Sequence, residues 1–394
     1  MKTVDFKTRS EILDRKMPCV QGNNQYRGKT VVALDGGYSA LKGVSPERLF
    51  IFPSYAKRIE HELEAVAQVK TFDIQYRDNR TGEIWLVGQS AMALMDKDDL
   101  DSTTDASLYT RYRYNSDVYR VIMSTGLAIG CIGAGDNEIF LQTGLPAAYK
   151  DRDERKIIEA LSGAYDISLK LGARDWIDFK FEMPEDHIFV MQQPQGTLCA
   201  CAYDSEGPTK MGLDLLKSNT IILDIGFGTE DIFSIRAGYK NGCETYSDTG
   251  MRSVFDETLK ELERTYPIET KIFELQNYLE TGILPVFNPD TFSVEEVNFS
   301  NTLDQMSKKL CEKSIRRLMQ NYDNLMRYKY LIVTGGTGEC RFEQIKNMLS
   351  GIPSLTVLPG NLSHPDVAFS YSNVLGYYAF RLGKVKKLEA MKGA

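Results

Sequence analysis

Residues 30–42 read Thr-Val-Val-Ala-Leu-Asp-Gly-Gly-Tyr-Ser-Ala-Leu-Lys, and the fold prediction starts from this stretch. The apolar run at 30–34 is typical of a buried strand, and it stops at an Asp-Gly-Gly turn. Glycine tolerates positive φ angles and lets backbone N–H groups approach an anion. The stretch therefore predicts a strand, a phosphate-binding turn and a returning strand.

Two polar side chains give this turn, phosphate loop 1 (residues 35–42), its expected chemistry. Lys42 on the returning strand can place its ammonium group against a β-phosphate, and Asp35 at the strand end can hold a hydrated Mg²⁺ ion. Many Gly-rich β-turns contain a similar pattern, so this loop alone does not specify a function. The predicted nucleotide contacts are Asp35, Gly37, Tyr38, Ser39, Ala40 and Lys42.

Phosphate loop 2 (residues 224–231) repeats the pattern, because Asp-Ile-Gly-Phe-Gly-Thr-Glu-Asp follows an apolar run at 220–223. Two such hairpins facing each other across a cleft would hold the β- and γ-phosphates from both sides. Asp224 would then lie opposite Asp35, and both carboxylates would bind the metal through water. The predicted nucleotide contacts in this loop are Gly226, Phe227, Gly228 and Thr229.

A third Gly-rich stretch, the adenosine loop (residues 333–339), reads Val-Thr-Gly-Gly-Thr-Gly-Glu between a predicted strand and a predicted helix. Its glycines allow a flat adenosine to pass closely, and the helix N-terminus favours an anion. The chain contains no G-x-x-x-x-G-K-[ST] motif, which excludes a Walker-type loop. The predicted contacts here are Gly335, Gly336, Thr337 and Glu339.

The order and spacing of the three loops resemble the phosphate 1, phosphate 2 and adenosine motifs of the superfamily of actins, sugar kinases and heat-shock chaperone ATPases. The likeness covers residues 30–382. The segments Thr-Gly-Leu-Pro at 143–146, Pro-Gln-Gly at 194–196 and Ser-Asn-Val-Leu-Gly-Tyr at 372–377 are similar to those of ParM-type plasmid-segregation actins. This resemblance implies an α/β fold: an actin-like two-domain ATPase of duplicated ribonuclease H-like domains with small inserted subdomains.

The resemblance also assigns catalytic and further binding residues. The family's hydrolytic Gln or Glu, at the start of the helix after the last strand of the first domain, falls on Gln195, with Asp224 as the second catalytic residue. A neutral amide orients water rather than acting as a base, so slow turnover is expected. Gly250 resembles the glycine on which the nucleotide rests, and Glu257 and Lys260 could reach the ribose or base. A helix cap for Gln195 and an exposed pair for Glu257 and Lys260 stay open as alternatives.

At 394 residues, the chain is longer than one hydrophobic core usually supports. We expect an N-terminal extension at 1–28, whose Phe6, Leu13 and Met17 could share a face of a short basic helix. The expected domains are domain I at 29–215, with an insert at about 53–110 and a C-terminal helix at 365–394 packing back on it, and domain II at 216–364, with a helical insert at about 252–325.

Composition limits the classes of partner. The net charge of −7 provides no general attraction for phosphate backbones, so direct nucleic-acid binding is not expected. No apolar run is long enough to span a bilayer, and the first thirty residues lack a secretory signal pattern, so we expect a cytoplasmic protein without a membrane partner.

The function implied by the resemblance is that of a polymerising actin-like ATPase. It would hydrolyse ATP or GTP with Mg²⁺ in the interdomain cleft and form dynamic filaments for plasmid DNA segregation. Its partners would be further copies of the chain and a DNA-binding adaptor of the ParR type bound to a plasmid centromere. A small-molecule kinase, with Asp231 or Asp256 as the base, and a cell-shape or division actin remain alternatives.

Overall fold

The computed structural model describes residues 3–8, 10–17, 28–62, 70, 72–95, 111–204, 207–266, 270–288 and 291–392. The chain divides into two compact units. The N-terminal unit comprises Thr8–Leu213, Ser363–Pro365 and Tyr371–Ala394, and the C-terminal unit comprises Met1–Lys7, Asp214–Leu362 and Asp366–Ser370. Parts of the predicted insert (63–69, 71 and 96–110) and of the predicted extension (18–27) lie outside the described residues.

The described strands are β1 (Glu11–Asp14), β2 (Lys29–Gly36), β3 (Ala40–Ser45), β4 (Arg48–Pro53), β5 (Ala56–Ile59), β6 (Ile74–Asp78), β7 (Ile84–Val87), β8 (Glu138–Leu145), β9 (Gly163–Leu171), β10 (Ile177–Met183), β11 (Ile188–Gln192), β12 (Thr220–Ile225), β13 (Glu230–Arg236), β14 (Tyr239–Tyr246), β15 (Ile283–Asn288), β16 (Ser293–Asn298), β17 (Tyr330–Thr334) and β18 (Thr356–Pro359). The described α-helices are α1 (Gln89–Leu94), α2 (Asp117–Cys131), α3 (Lys150–Leu161), α4 (Gln193–Ala202), α5 (Lys210–Lys217), α6 (Met251–Glu263), α7 (Ile272–Asn277), α8 (Ser300–Asn321), α9 (Gly336–Met348) and α10 (Ser372–Lys392).

The main sheet of the N-terminal unit is built around β2, the strand that leads into phosphate loop 1. Its order is β1-β4-β3-β2-β8-β11, in which β2, β3 and β4 are antiparallel while β8 and β11 are parallel additions. Residues 30–35 of β2 are all buried, because helices α2 and α10 both pack against this strand. A strand covered on both faces has the continuous apolar pattern that the sequence shows.

The main sheet of the C-terminal unit has the order β14-β13-β12-β17-β18. Here β12 pairs antiparallel with β13 and parallel with β17, and β18 continues the parallel side. This repeats the arrangement of β4-β3-β2-β8-β11, so the predicted duplication and α/β fold class are confirmed. The first strand of each repeat, β2 or β12, ends at a phosphate loop.

The edge of the N-terminal unit carries a second sheet, with the order β10-β9-β6-β7-β5. The sequence placed this subdomain in one insert at about 53–110, whereas the structure draws two of its strands, β9 and β10, from residues 163–183. The pairing of β6 with β9 joins segments far apart in sequence, which local patterns do not reveal.

The first described residues form a 3-10 helix and a strand rather than the short basic helix considered for the extension. Thr3–Phe6 is a short 3-10 helix whose Phe6 joins the core around α6 and α8. Glu11–Asp14 forms β1, which pairs antiparallel with β4. The helical face predicted for Phe6, Leu13 and Met17 is therefore not formed, because edge pairing satisfies the backbone of 11–14 as a strand.

Candidate functional site

Phosphate loop 1 is a tight turn between β2 and β3. Asp35 and Lys42 are paired across the two strands, and Lys42 Nζ lies 3.6 Å from Asp35 Oδ2. A Cβ atom at Gly37 would lie 2.7 Å from Lys42 Nζ and 2.8 Å from the Ala40 carbonyl oxygen, so this position requires glycine. The turn thus places a carboxylate, an ammonium group and close-packed backbone together, which is the arrangement predicted for a phosphate loop.

A serine from the strand beyond the turn supports phosphate loop 1. Ser54 donates from its Oγ to the Gly37 carbonyl at 2.8 Å and from its backbone N–H to the Ser39 carbonyl at 2.9 Å. Sequence reasoning did not identify Ser54, because it lies after β4 and reaches the turn only through sheet pairing.

The structure brings Gln193 to Asp35. Gln193 begins helix α4 directly after β11, and its Nε2 donates to Asp35 Oδ1 at 3.0 Å. Gln195, the residue predicted for hydrolysis, is half-buried two positions further along the same helix and projects from another side of it. The sequence Gln-Gln-Pro-Gln at 192–195 contains three side-chain amides. The residue at which strand β11 ends determines which of them reaches Asp35.

Phosphate loop 2 joins β12 and β13, where the Gly226 N–H donates to the Thr229 carbonyl at 2.8 Å. The carboxylate of Asp224, at the end of β12, is 6% exposed. Asp231 is 1% exposed and accepts hydrogen bonds from the hydroxyls of Thr229 at 2.8 Å and Thr245 at 2.5 Å. Asp231 therefore stabilises the hairpin rather than offering a base to a substrate.

The N-terminus of helix α6 packs directly on phosphate loop 2. The N–H groups of Met251 and Arg252 donate to the carbonyls of Gly226 at 3.2 Å and Phe227 at 2.9 Å. A Cβ at Gly250 would lie 2.5 Å from the Phe227 carbonyl oxygen, so glycine is required for this contact. The predicted role of Gly250 as a support for the nucleotide remains a prediction.

The adenosine loop lies against phosphate loop 2 within the C-terminal unit. Gly335 has a φ of 81°, and a Cβ there would lie 2.5 Å from Asp224 Oδ1. Thr337 Oγ1 donates to the Gly226 carbonyl at 2.8 Å. Gly336, in contrast, is exposed, and among the described residues the nearest neighbour of a Cβ placed there is Ser370 Cβ, at 4.0 Å. Five predicted residues therefore meet at one place: Asp224, Gly226, Gly250, Gly335 and Thr337.

Buried side chains that sequence reasoning did not identify hold these loops together. Arg341 of helix α9 is fully buried and donates from Nη1 to the Thr249 carbonyl at 2.8 Å, and burial lowers the pKa of its guanidinium group. Thr249 Oγ1 donates to Glu230 Oε2 at 2.7 Å. Glu339 accepts from the Phe369 N–H at 3.2 Å, which gives this predicted contact residue a structural role as well.

Of the predicted ribose or base contacts on helix α6, Lys260 is exposed and Glu257 is half-buried. Lys260 Nζ lies 2.6 Å from Asp256 Oδ2 and 3.3 Å from Glu257 Oε1, as expected of neighbouring charges on a helix surface. These contacts match the alternative in which Glu257 and Lys260 form a pair on the helix surface. A role for Glu257 and Lys260 in nucleotide binding is a prediction that the contacts do not require.

The carboxylates at the phosphate loops have the chemistry that a hydrated magnesium ion prefers. Among the described residues there is no cluster of three or more His, Cys, Asp or Glu side chains able to hold a metal. Asp35 and Asp224 each provide one buried carboxylate at a phosphate loop. Mg²⁺ is usually bound by one or two carboxylates together with substrate phosphates and water, so each of these carboxylates has the chemistry to hold such an ion through water. No helix in the described part of the chain is both long and apolar enough to cross a bilayer.

Comparisons with known proteins match this architecture. Residues 33–196 match the family described as the N-terminal domain of actin-like proteins. A pCBH ParM non-polymerisable quadruple mutant is 19% identical, with a TM-score of 0.66 over 91% of this chain and 99% of that chain. A 15-stranded ParM filament from Clostridium botulinum is 17% identical, with a TM-score of 0.64 over 90% of this chain and 99% of that chain.

A nucleotide-bound structure is also among the similar folds. The archaeal actin homolog Ta0583 in complex with ADP is 15% identical, with a TM-score of 0.59 over 91% of this chain and 99% of that chain. No curated protein sequence matches the chain significantly. The resemblance drawn from the three loops is confirmed, and so is the actin-like two-domain fold, shared with ParM and other bacterial and archaeal actin homologues.

Proposed function

Because residues 33–196 match the N-terminal domain of actin-like proteins and the fold is similar to that of ParM, we propose that the chain is a nucleotide-driven filament protein. It binds ATP or GTP with Mg²⁺, hydrolyses the nucleotide, and polymerises with further copies of itself. The filament moves plasmid DNA through an adaptor of the ParR type bound to a centromere.

The observation that carries this proposal is the site in the C-terminal unit. Gly335 contacts Asp224, and Thr337 donates to Gly226, so the adenosine loop and phosphate loop 2 form one surface. Gly336 is exposed on that surface and has no side chain, so a flat base or ribose can approach its backbone. The backbone groups expected to recognise the phosphates and the adenosine therefore lie at the same place in the fold.

The two phosphate loops divide the expected chemistry. Bound Mg²⁺ would neutralise charge on the phosphates, and the carboxylates of Asp35 and Asp224 are each suited to hold a water ligand of such an ion. Lys42 would stabilise a phosphate oxygen. A glutamine at the start of helix α4 would orient the attacking water, with Gln195 assigned by resemblance and Gln193 favoured by its contact with Asp35. Positioning by amides predicts slow hydrolysis, as suits a filament whose age is timed by its nucleotide.

The side chains considered for the alternative functions are engaged in other contacts. A kinase requires a base near the acceptor hydroxyl, but Asp231 is engaged by two threonine hydroxyls and Asp256 pairs with Lys260 on a helix surface. A cell-shape or division actin would use the basic N-terminal extension as its membrane contact, but residues 11–14 of that extension form a strand and not an amphipathic helix.

The test is polymerisation of the purified chain with Mg-ATP or Mg-GTP, followed by light scattering, electron microscopy and phosphate release. Nucleotide-dependent filaments with slow phosphate release are expected. Absence of filaments, together with phosphate transfer to a sugar or a carboxylate, would establish the kinase reading and remove the filament function. Co-sedimentation with a centromere-bound adaptor then tests the role in plasmid segregation.

A further inference from the structure

A buried arginine outside the three loops contacts the backbone of phosphate loop 1. Arg113 lies in the 3-10 helix Arg111–Asn115 and is 3% exposed. Its Nη2 donates to the carbonyl oxygens of Gly36 at 3.0 Å and Gly37 at 3.1 Å. These carbonyls belong to consecutive peptide groups, so one side chain sets the orientation of both peptide planes.

The surroundings of Arg113 are aromatic. The guanidinium carbon lies 4.7 Å from the centroid of the Tyr38 ring, 5.1 Å from that of Tyr119 and 6.0 Å from that of Tyr114. Removing a charged group from water is costly unless other groups replace the solvent. Here two carbonyl oxygens and the faces of the rings stabilise the cation. The guanidinium group is therefore fixed beside the turn.

We propose that Arg113 is a positioning residue of the nucleotide site, which holds phosphate loop 1 in its phosphate-binding shape. The inference rests on the proposed binding of nucleotide by this loop. In a trans peptide the N–H points away from the C=O, so a donor that holds the Gly37 carbonyl turns the Tyr38 N–H to the opposite side. A turn held in this way needs no rearrangement when an anion binds, and the nearby positive charge favours that anion.

Tyr38 takes part in the same arrangement as Arg113. In the structure the Tyr38 ring lies over the guanidinium group of Arg113, and the ring belongs to the loop that Arg113 holds. The large side chain thus acts as the second contact between the turn and the 3-10 helix. Replacing either partner should weaken the same property, with non-additive effects when both are replaced.

The experiment compares Arg113→Lys and Tyr38→Leu with the matched control Arg48→Lys. Arg48 is also largely buried and donates to a backbone carbonyl, that of Ile132, in the same unit. Equilibrium binding of a fluorescent Mg-nucleotide is measured for each variant, with competition by the nucleoside without phosphates, and urea unfolding reports stability. Lysine keeps the charge of Arg113 but not the fork that bridges two carbonyls.

Arg113→Lys and Tyr38→Leu are expected to lower Mg-nucleotide affinity by about tenfold while nucleoside competition is unchanged. Arg48→Lys is expected to keep the original affinity even where stability falls. The assignment would be overturned if the Tyr38 variant keeps its nucleotide affinity and the Arg113 variant either folds with unchanged affinity or does not fold. Equal losses for nucleotide and nucleoside would also overturn it, since they indicate general damage. If the unaltered chain binds no nucleotide, the proposed function fails and this role fails with it.

Discussion

The hydrogen bond from Gln193 to Asp35 makes a quantitative prediction about hydrolysis. Gln193→Ala removes a donor that lies 3.0 Å from a carboxylate oxygen beside the expected metal and phosphates. A hydrogen bond to a charged group contributes about 1.5–3 kcal/mol. Because each 1.4 kcal/mol corresponds to about tenfold in rate, phosphate release should slow by about 10- to 100-fold if this amide is aligned in the transition state.

The matched control is Gln195→Ala, two residues further along the same helix. The assay is single-turnover phosphate release at saturating nucleotide, with light scattering recorded in parallel so that filament lifetime and hydrolysis are followed together. Slower hydrolysis in Gln193→Ala should prolong the filament signal, because the nucleotide-triphosphate state persists. Urea unfolding of both variants checks that any difference comes from the site and not from the stability of helix α4.

The outcome distinguishes the contact from the family resemblance. If Gln193→Ala slows phosphate release and Gln195→Ala does not, the residue that touches Asp35 orients the water. If only Gln195→Ala slows release, the assignment by resemblance is correct, and the hydrogen bond to Asp35 merely fixes the carboxylate. Unchanged rates in both variants would refute the reasoning that an amide at the start of helix α4 positions the water.

Three further perturbations test the C-terminal unit. Asp224→Ala should lower Mg-nucleotide affinity by about tenfold or more in a fluorescence titration, because a carboxylate expected to hold the hydrated metal is lost, and full retained affinity would contradict the metal assignment. Gly335→Ala should destabilise the fold by about 1–3 kcal/mol in urea unfolding, because Gly335 has a φ of 81° and its new Cβ would approach Asp224 Oδ1 to 2.5 Å; an unchanged midpoint would show that the loop adapts. Hydrogen bonds from Lys329 and then Tyr330 lower the pKa of Asp214 to about 2. Since this folded-state value lies below the ordinary value of about 3.9, the stabilisation is present above about pH 4 and is lost as the pH falls towards 2. Asp214→Asn should therefore be less stable than the original chain at neutral pH, and the difference should vanish in strong acid; a difference that does not depend on pH would rule out this linkage.

The hairpin of β15 and β16 was not predicted from the sequence, because the core that covers it comes from other parts of the chain. The hairpin of β15 and β16 falls in a region predicted as mostly helical, although residues 283–288 alternate between buried and more exposed positions. Phe287 and Phe292 lie on its surface with ring centroids 6.4 Å apart, and Phe292 is 84% exposed. A two-stranded sheet is stable only when neighbouring elements cover one face. The contacts of Leu284, Val286 and Val297 with the core around helix α6 provide that cover.

The three loops could be recognised from sequence because their chemistry is local. A buried strand, a carboxylate and glycines in a turn follow one another within a dozen residues. The backbone conformation of such a turn favours this order of residues. Asp35, Lys42, Asp224 and Gly335 were predicted in this way, and the duplicated sheet order confirms the fold that the loops implied.

The supporting side chains could be found only from the tertiary structure. Gln193 reaches Asp35 across 158 residues, and Arg113 reaches Gly36 across 77 residues. Strand pairing and helix packing bring these groups together, and no local spacing records the distance between them. The sequence by itself therefore determined the fold class and the loops, whereas the packing of the N-terminal unit decided which amide contacts Asp35 and which cation holds phosphate loop 1.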